Sequence, residues 1–341
     1  MSVKPGGSSV LAAALLIVAG TAAAAEVNVY SARKEALIKP LLERFTDESG
    51  IDVNLVTGNS DALLKRLQME GANSPADVLI TVDAGRLHRA KANDLLQPVR
   101  SEVVNEAVPG QYRDRDNAWI GLSLRARTIM YARERVDAAE LSTYEDLASD
   151  AWEDRICIRS SNNIYNQSLV ASMIAAKGIE ATEEWARSLV DNMARPPQGG
   201  DTDQIKAVAA GQCDIAIANT YYLGRLLNDE DNPDNREAGR KVAIHWPNQE
   251  GRGTHVNVSG IGITSAAGNR DEAVRLIEFL VSDDAQAYHA GSNYEYPVKK
   301  GVQWSETLQD WGRFDADTIN LSVLGENNAE AVKLMDRAGW K

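Results

Sequence analysis

The sequence predicts an α/β protein built from two units, and three observations carry that expectation. Short apolar runs alternate with amphipathic stretches through the first third. The same alternation restarts at "DRICIRS", and strand character returns in "VAIHWP" and "HVNVSGIGITSAA" before a long amphipathic stretch. Alternation at this spacing is the pattern of parallel or mixed sheets flanked by helices. The first strand is "EVNVYSA", in which Val27, Val29 and Ser31 alternate with Asn28 and Tyr30. "KEALIKPLLERFTDESG" follows as a helix, with Leu37, Leu41, Leu42 and Phe45 on one face and Gly50 as its stop. "IDVNLVTG" is a second strand, and "SDALLKRLQMEG" a second helix that Ser60 or Asp61 can cap. "ADVLITVD" is a third strand, leading into a helix that begins near Ala84.

In the middle third, "DRICIRS" reads as a strand and "NQSLVASMIAAKG" as a helix ending at Gly178. "TEEWARSLVDNMA" and "DTDQIKAVAAGQ" are helices, and "CDIAIAN" is a strand. "NRDEAVRLIEFLVSDDAQAYHA" is the last long helical stretch. The second unit is thus inserted in the first. One lobe takes residues 26–125 plus about 242–300, and the other about 126–241 plus 301–341. In such a fold, ligand binds in the crevice at the carboxyl ends of the strands.

Composition narrows the function classes. The chain has 341 residues, 44% hydrophobic and 25% charged, which is ordinary for a globular protein and excludes a disordered or collagen-like chain. A formal net charge of −13 argues against nucleic acid or an anionic membrane as partner. Residues 1–25 read as a signal peptide. Lys4 supplies the positive start, Val10 to Ala19 the apolar run, and Ala23, Ala24 and Ala25 the small-residue cleavage pattern. Cleavage near Ala25 and a mature start near Glu26 are expected, with no membrane insertion afterwards. Export favours an oxidised pair for Cys157 and Cys213, which lie 56 positions apart; two buried thiols are the plain alternative.

Enzyme signatures are missing. The sequence has no GxGxxG after a strand, no GxxxxGK[ST], no GxSxG and no HExxH. His88, His245, His255 and His289 stand alone and read as hydrogen-bonded structural histidines. Tyrosine placement is the unusual feature. Tyr165 follows the strand "RICIR" directly before a helix, and Tyr221 and Tyr222 follow "CDIAIA" side by side. Both sites sit where a strand ends and a helix begins, the ligand-facing side of an open α/β sheet. Packing is the plain reading of paired aromatics. Against it, two adjacent residues leaving a strand are expected to point in different directions, which suits one shared core poorly.

These residues resemble those of the periplasmic ferric-iron-binding proteins of ABC importers, which are two-lobed type II binding proteins. The matching stretches are "VNVYSARKE", "SPADVLITVDAGRL", "GLSLRAR", "CIRSSNNIYNQSL", "ARPPQGGDTDQIKAVAAGQCDIAIANTYYLGRL", "GTHVNVSGIGI" and "NYEYPVKKG", in family order. The NxYN…NxYYxG pair is the specific part. The resemblance implies Tyr165, Tyr221 and Tyr222 as ligands of Fe(III). It also implies carbonate or a similar companion anion, an importer permease with its ATPase as partners, a periplasmic monomer, and no catalysis.

The chemistry agrees with that implication. Fe(III) is a hard cation that prefers anionic oxygen, and a phenol of pKa about 10 binds as phenolate only beside a cation. The companion anion needs donors. Arg33 in "YSAR", Arg125 in "LRAR", and Ser160 and Asn163 at a helix N-terminus are the candidates. Arg127, the second arginine of "LRAR", is a further candidate for anion contact, and a surface ion pair is the plain alternative for both arginines. Some family members carry His-Tyr after the first-loop arginine as further ligands; here Lys34 and Glu35 stand there, so a tyrosine-plus-anion site is expected. The alternative is the same fold holding a small oxyanion, sulfate or a phosphonate, on Arg33 and Arg125.

Overall fold

The computed structural model describes residues 1–2 and 25–341, so the expected signal segment lies almost wholly outside the described residues. The first lobe opens with β1 (Glu26–Ser31), α1 (Glu35–Ser49), β2 (Asp52–Thr57), α2 (Ser60–Glu70), β3 (Val78–Val82), α3 (Ala84–Ala92), β4 (Leu96–Gln97) and α4 (Glu102–Ala107). The long β5 (Ile120–Ala132) leads into β6 (Ile156–Cys157), α5 (Ile164–Lys177), α6 (Ile179–Asp191), α7 (Asp201–Ala209), β7 (Ile215–Asn219), α8 (Thr220–Leu227), α9 (Pro233–Arg240) and β8 (Val242–His245). The chain returns through β9 (Val256–Thr264), α10 (Arg270–Leu280), α11 (Asp283–Ser292) and β10 (Tyr296–Pro297). It closes with α12 (Glu306–Asp310), α13 (Ser322–Glu326) and α14 (Asn328–Arg337).

Local chemistry explains the element ends. Gly50 stops α1 in the left-handed region at φ 70°, its N–H on the Thr46 carbonyl. The cap of α2 is Asn59 rather than Ser60 or Asp61; its side-chain oxygen accepts from the Asp61 N–H at 2.9 Å. On α1 the buried face is Ile38, Leu41, Leu42 and Phe45, with Ile38 taking the place expected of Leu37, which is only half-buried.

One strand belongs to both lobes. The sheet order is β2-β1-β3-β9-β5-β7-β6, with β4 on β9 and both β8 and β10 on β5. The first part of β5, through Ala126, pairs with β9 and β10. From Arg127 onward it pairs with β7, and β8 pairs from Ile129. This arrangement moves two of the expected boundaries. β8 pairs with the second half of β5, so the return to the first lobe comes after His245 rather than at residue 242. The tail is also divided. Leu308, Leu321 and Leu324 lie in the first lobe's core, while Ala331, Leu334, Met335, Ala338 and Trp340 fill the second. Helix α13 reaches the first lobe because Gly325 lets it lie against α3; a methyl group there would collide with the His88 side chain.

Cys157 and Cys213 form a disulfide between β6 and the segment entering β7, with Cα atoms 5.8 Å apart. The closed loop spans 56 residues, for which the chain-entropy model gives about 4 kcal/mol of stabilisation. Alkylation without reductant is expected to leave both cysteines unmodified by mass, and reduction to lower the denaturation midpoint. Two alkylated thiols in the unreduced protein would contradict the bridge.

Candidate functional site

Two strand-to-helix turns of the second lobe carry the tyrosines. After β6 the chain forms a tight loop in which Asn166 Nδ2 donates to the carbonyls of Arg159 and Ser160, at 2.8 and 3.2 Å. Asn163 then caps α5, its side-chain oxygen accepting from the Tyr165 N–H at 3.0 Å. Tyr165 therefore stands in the first turn of a capped helix. Tyr221 and Tyr222 stand in the first turn of α8. Their rings are not splayed as a strand exit would place them: the centroids lie 4.3 Å apart with planes at 35°. Helix geometry begins at Thr220, one residue before the pair, so the two side chains diverge by about 100° rather than by the about 180° of strand neighbours.

Arg125 gathers these hydroxyls. It extends from β5 and is almost completely buried. Nη2 donates to the Tyr165 hydroxyl at 2.9 Å and also to the Tyr221 hydroxyl. The guanidinium carbon lies 4.6 Å from the centroid of the first ring and 4.8 Å from the second. Nε and Nη1 of Arg125 are buried with no hydrogen-bond partner. Asn219 Nδ2 donates to the Tyr221 hydroxyl at 3.4 Å. Arg225 lies 4.9 Å from the Tyr221 ring, and Arg159 lies 5.5 Å from that of Tyr165.

The electrostatics differentiate the three phenols. Burial raises each of them. For Tyr165, the charge and hydrogen bond of Arg125 outweigh burial and bring the hydroxyl below the ordinary tyrosine value. Tyr221 is held well above it, because burial and the neighbouring Tyr165 and Tyr222 exceed the pull of Arg125. Tyr222 is also raised, by burial and then by Tyr165.

Beneath the tyrosines runs a buried polar scaffold. Arg127 Nη1 donates to Asp201 Oδ2 at 2.9 Å and to Asn219 Oδ1 at 3.2 Å; Nη2 donates to Asn166 Oδ1 at 2.6 Å. Asp201 also accepts from the Asn219 N–H at 2.9 Å and from Arg159 Nη1 at 3.1 Å. One arginine and one aspartate thus tie together the starts of both tyrosine-bearing helices.

The other expected donors are placed differently. Arg33 is not an open donor: its two terminal nitrogens lie on Glu295, Nη1 at 3.0 Å and Nη2 at 3.3 Å, leaving only Nε unpartnered. A buried guanidinium needs a carboxylate, and Glu295 supplies it. Ser160 Oγ accepts from the Asn162 N–H at 3.2 Å, so both it and Asn163 shape the loop. Glu35 is exposed and paired with Lys39 at 3.2 Å. His255 and His289 are buried and neutral at ordinary pH; burial and nearby arginines hold His289 down at about 3 and His255 well below its ordinary value. Across the lobes, Ser168 Oγ on α5 donates to the buried Asp83 at 2.7 Å.

Sequence reasoning did not single out Glu295 or Asp201. Glu295 is an acid inside the aromatic run "NYEYP", a signal for a buried, paired carboxylate. Asp201 opens a helix in "GGDTDQIK", where an acidic first turn looks like ordinary helix chemistry.

Residues 73–314 match the family model of the bacterial extracellular solute-binding proteins. The chain is 52% identical to Iron uptake protein A1 of Synechocystis sp., over 93% of this chain and 88% of that protein. Among solved structures, Trichodesmium IdiA (FutA) in complex with iron and citrate ligands is 49% identical with a TM-score of 0.91. That likeness covers 93% of this chain and all of that one. The ferric binding protein from Campylobacter jejuni is 40% identical with a TM-score of 0.87, covering 92% of this chain and all of that one.

Proposed function

Since the chain belongs to the bacterial extracellular solute-binding protein family, we propose that it captures ferric iron between its lobes and delivers it to an ABC importer. The observation that carries this reading is the convergence of Tyr165 and Tyr221 on one buried guanidinium, with the Tyr222 ring against that of Tyr221. Fe(III) is the cargo, not a resident cofactor. Three phenolates neutralise its charge, and their oxygens match its hardness. Arg125 eases ionisation of Tyr165 in the empty protein and offers Nε and Nη1 to a companion anion such as carbonate. The protein performs no reaction. It works as a periplasmic monomer, released from its signal peptide near Ala25, and presents loaded lobes to the permease and its ATPase. The ligands all come from the second lobe, residues about 126–245, and the first lobe closes over them.

The unpartnered nitrogens of Arg125 also favour a second reading, in which the same cleft holds a small oxyanion alone. Ferric salt with bicarbonate distinguishes the two. Phenolate-to-iron charge transfer is expected to colour the protein; an oxyanion binder stays colourless.

The colour should fade in acid before the fold is lost. Protons compete with iron for the phenolates, so iron-dependent stabilisation is present near neutrality and disappears as pH falls. Burial alone would raise the Glu295 carboxyl, yet Arg33 and Arg125 hold it down at about 2. Its stabilising contribution is therefore complete above its unfolded value of about 4.3 and is lost only as pH falls from there through about 2. Visible absorbance and far-UV circular dichroism followed together should separate. Coincident loss of both signals would contradict this order.

A further inference from the structure

We propose that Glu295 sets the charge of the companion anion that the cleft accepts. The inference rests on the ferric reading above and assigns a positioning residue to it. Glu295 precedes β10, whose Tyr296 pairs with Leu124, and this brings the carboxylate alongside Arg125. Both of its oxygens are engaged. Oε2 accepts from Arg33 Nη1 at 3.0 Å, from Ser259 Oγ at 3.3 Å and from Ser123 Oγ; Oε1 accepts from Arg33 Nη2 at 3.3 Å. Oε1 also lies 3.9 Å from Arg125 Nε. The side chains of Arg33, Glu295 and Arg125 are 2–3% exposed, so solvent screens this triad poorly.

With its oxygens committed inside the protein, Glu295 acts on the cargo through Arg125 and through charge. It cancels Arg33 and leaves Arg125 as the cation whose free N–H groups await an anion. The other charges around the tyrosines are arranged separately: Arg127 and Arg159 are paired with Asp201, and Arg225 lies over the rings of Tyr221 and Tyr222. Removing the Glu295 charge makes the cleft more positive by one unit and should favour a doubly charged anion over a singly charged one. For a partly buried charge this near, the effect is on the order of tenfold per unit of anion charge.

The test compares iron-loaded protein in acetate, singly charged, and in sulfate, doubly charged, both free of carbonate, timing the loss of the visible band to one chelator. Relative to wild type, E295Q is expected to shift the ratio of retention times toward sulfate by about tenfold. R33Q/E295Q, which removes the pair and restores the local charge, should return the ratio to near wild type. R33Q alone should shift it the opposite way, toward acetate. An unchanged ratio in coloured E295Q, or a double variant that keeps the E295Q shift, would overturn the proposal. Should E295Q not fold, R33Q decides: a wild-type ratio in that variant overturns it equally. A wild-type protein that takes no ferric iron in either anion instead refutes the ferric reading, a distinguishable result.

Discussion

Replacing Tyr221 by phenylalanine is expected to shift or abolish the visible band and lower ferric affinity by at least about a hundredfold, more than an outer-shell change at a metal site costs. The hydroxyl lost is one that Arg125 and Asn219 both approach, and the ring that remains keeps its packing against Tyr222. Tyr165→Phe and Tyr222→Phe should act in the same direction, with the Tyr165 variant also losing the phenol that Arg125 draws below the ordinary tyrosine value. If the tyrosines served packing alone, each change would cost only a hydrogen bond of about 1 kcal/mol. Titration with ferric salt in bicarbonate, beside the circular dichroism of the empty variants, checks both halves of the expectation. Three variants with wild-type colour would end the ferric reading and promote the oxyanion one.

The second large effect belongs to Asp201→Ala. Asp201 is completely buried and accepts from Arg127, Arg159 and the Asn219 N–H. Its removal leaves the Arg127 guanidinium, itself 1% exposed, without its carboxylate. Breaking a buried pair from one side costs about 3–5 kcal/mol, because an uncompensated charge remains in a low-dielectric interior. A large fall in the denaturation midpoint is therefore expected. Ferric affinity should fall as well, since the same residue anchors the loop ahead of Tyr221 and the arginine beside Tyr165. A midpoint within about 1 kcal/mol of wild type would show that the remaining partners of Arg127, Asn166, Asn219 and the Ile217 carbonyl, hold its charge unaided.

Much of this arrangement was legible because it is written locally. Alternation of Val27 and Val29 with polar neighbours, Gly50 after an apolar stripe, and Asn163 before Tyr165 each act over a few residues. The strand-to-helix position of the tyrosines is local too, and it pointed at the ligand-facing edge of the sheet. The pairing of Cys157 with Cys213 needed only the inference of an oxidising compartment.

What lay beyond the sequence is the choice of partner across long separations. Nothing near Arg33 indicates that its charge is taken by Glu295, 262 positions away, while Arg125 keeps its free donors for the cleft. The two arginines look alike as sequence; they differ in how the sheet sets them against one carboxylate, Glu295, which accepts hydrogen bonds from Arg33 and lies 3.9 Å from Arg125 Nε. The division of the C-terminal tail has the same origin, since Gly325 reads as an ordinary helix glycine until α3 lies against it. By itself, then, the sequence determined the α/β alternation, the Gly50 helix stop, the tyrosine turns and the cysteine pair, because propensity, capping and periodicity act within a few residues. Only the tertiary structure decided which buried charges neutralise each other, since that depends on strand register and burial between segments far apart in the chain.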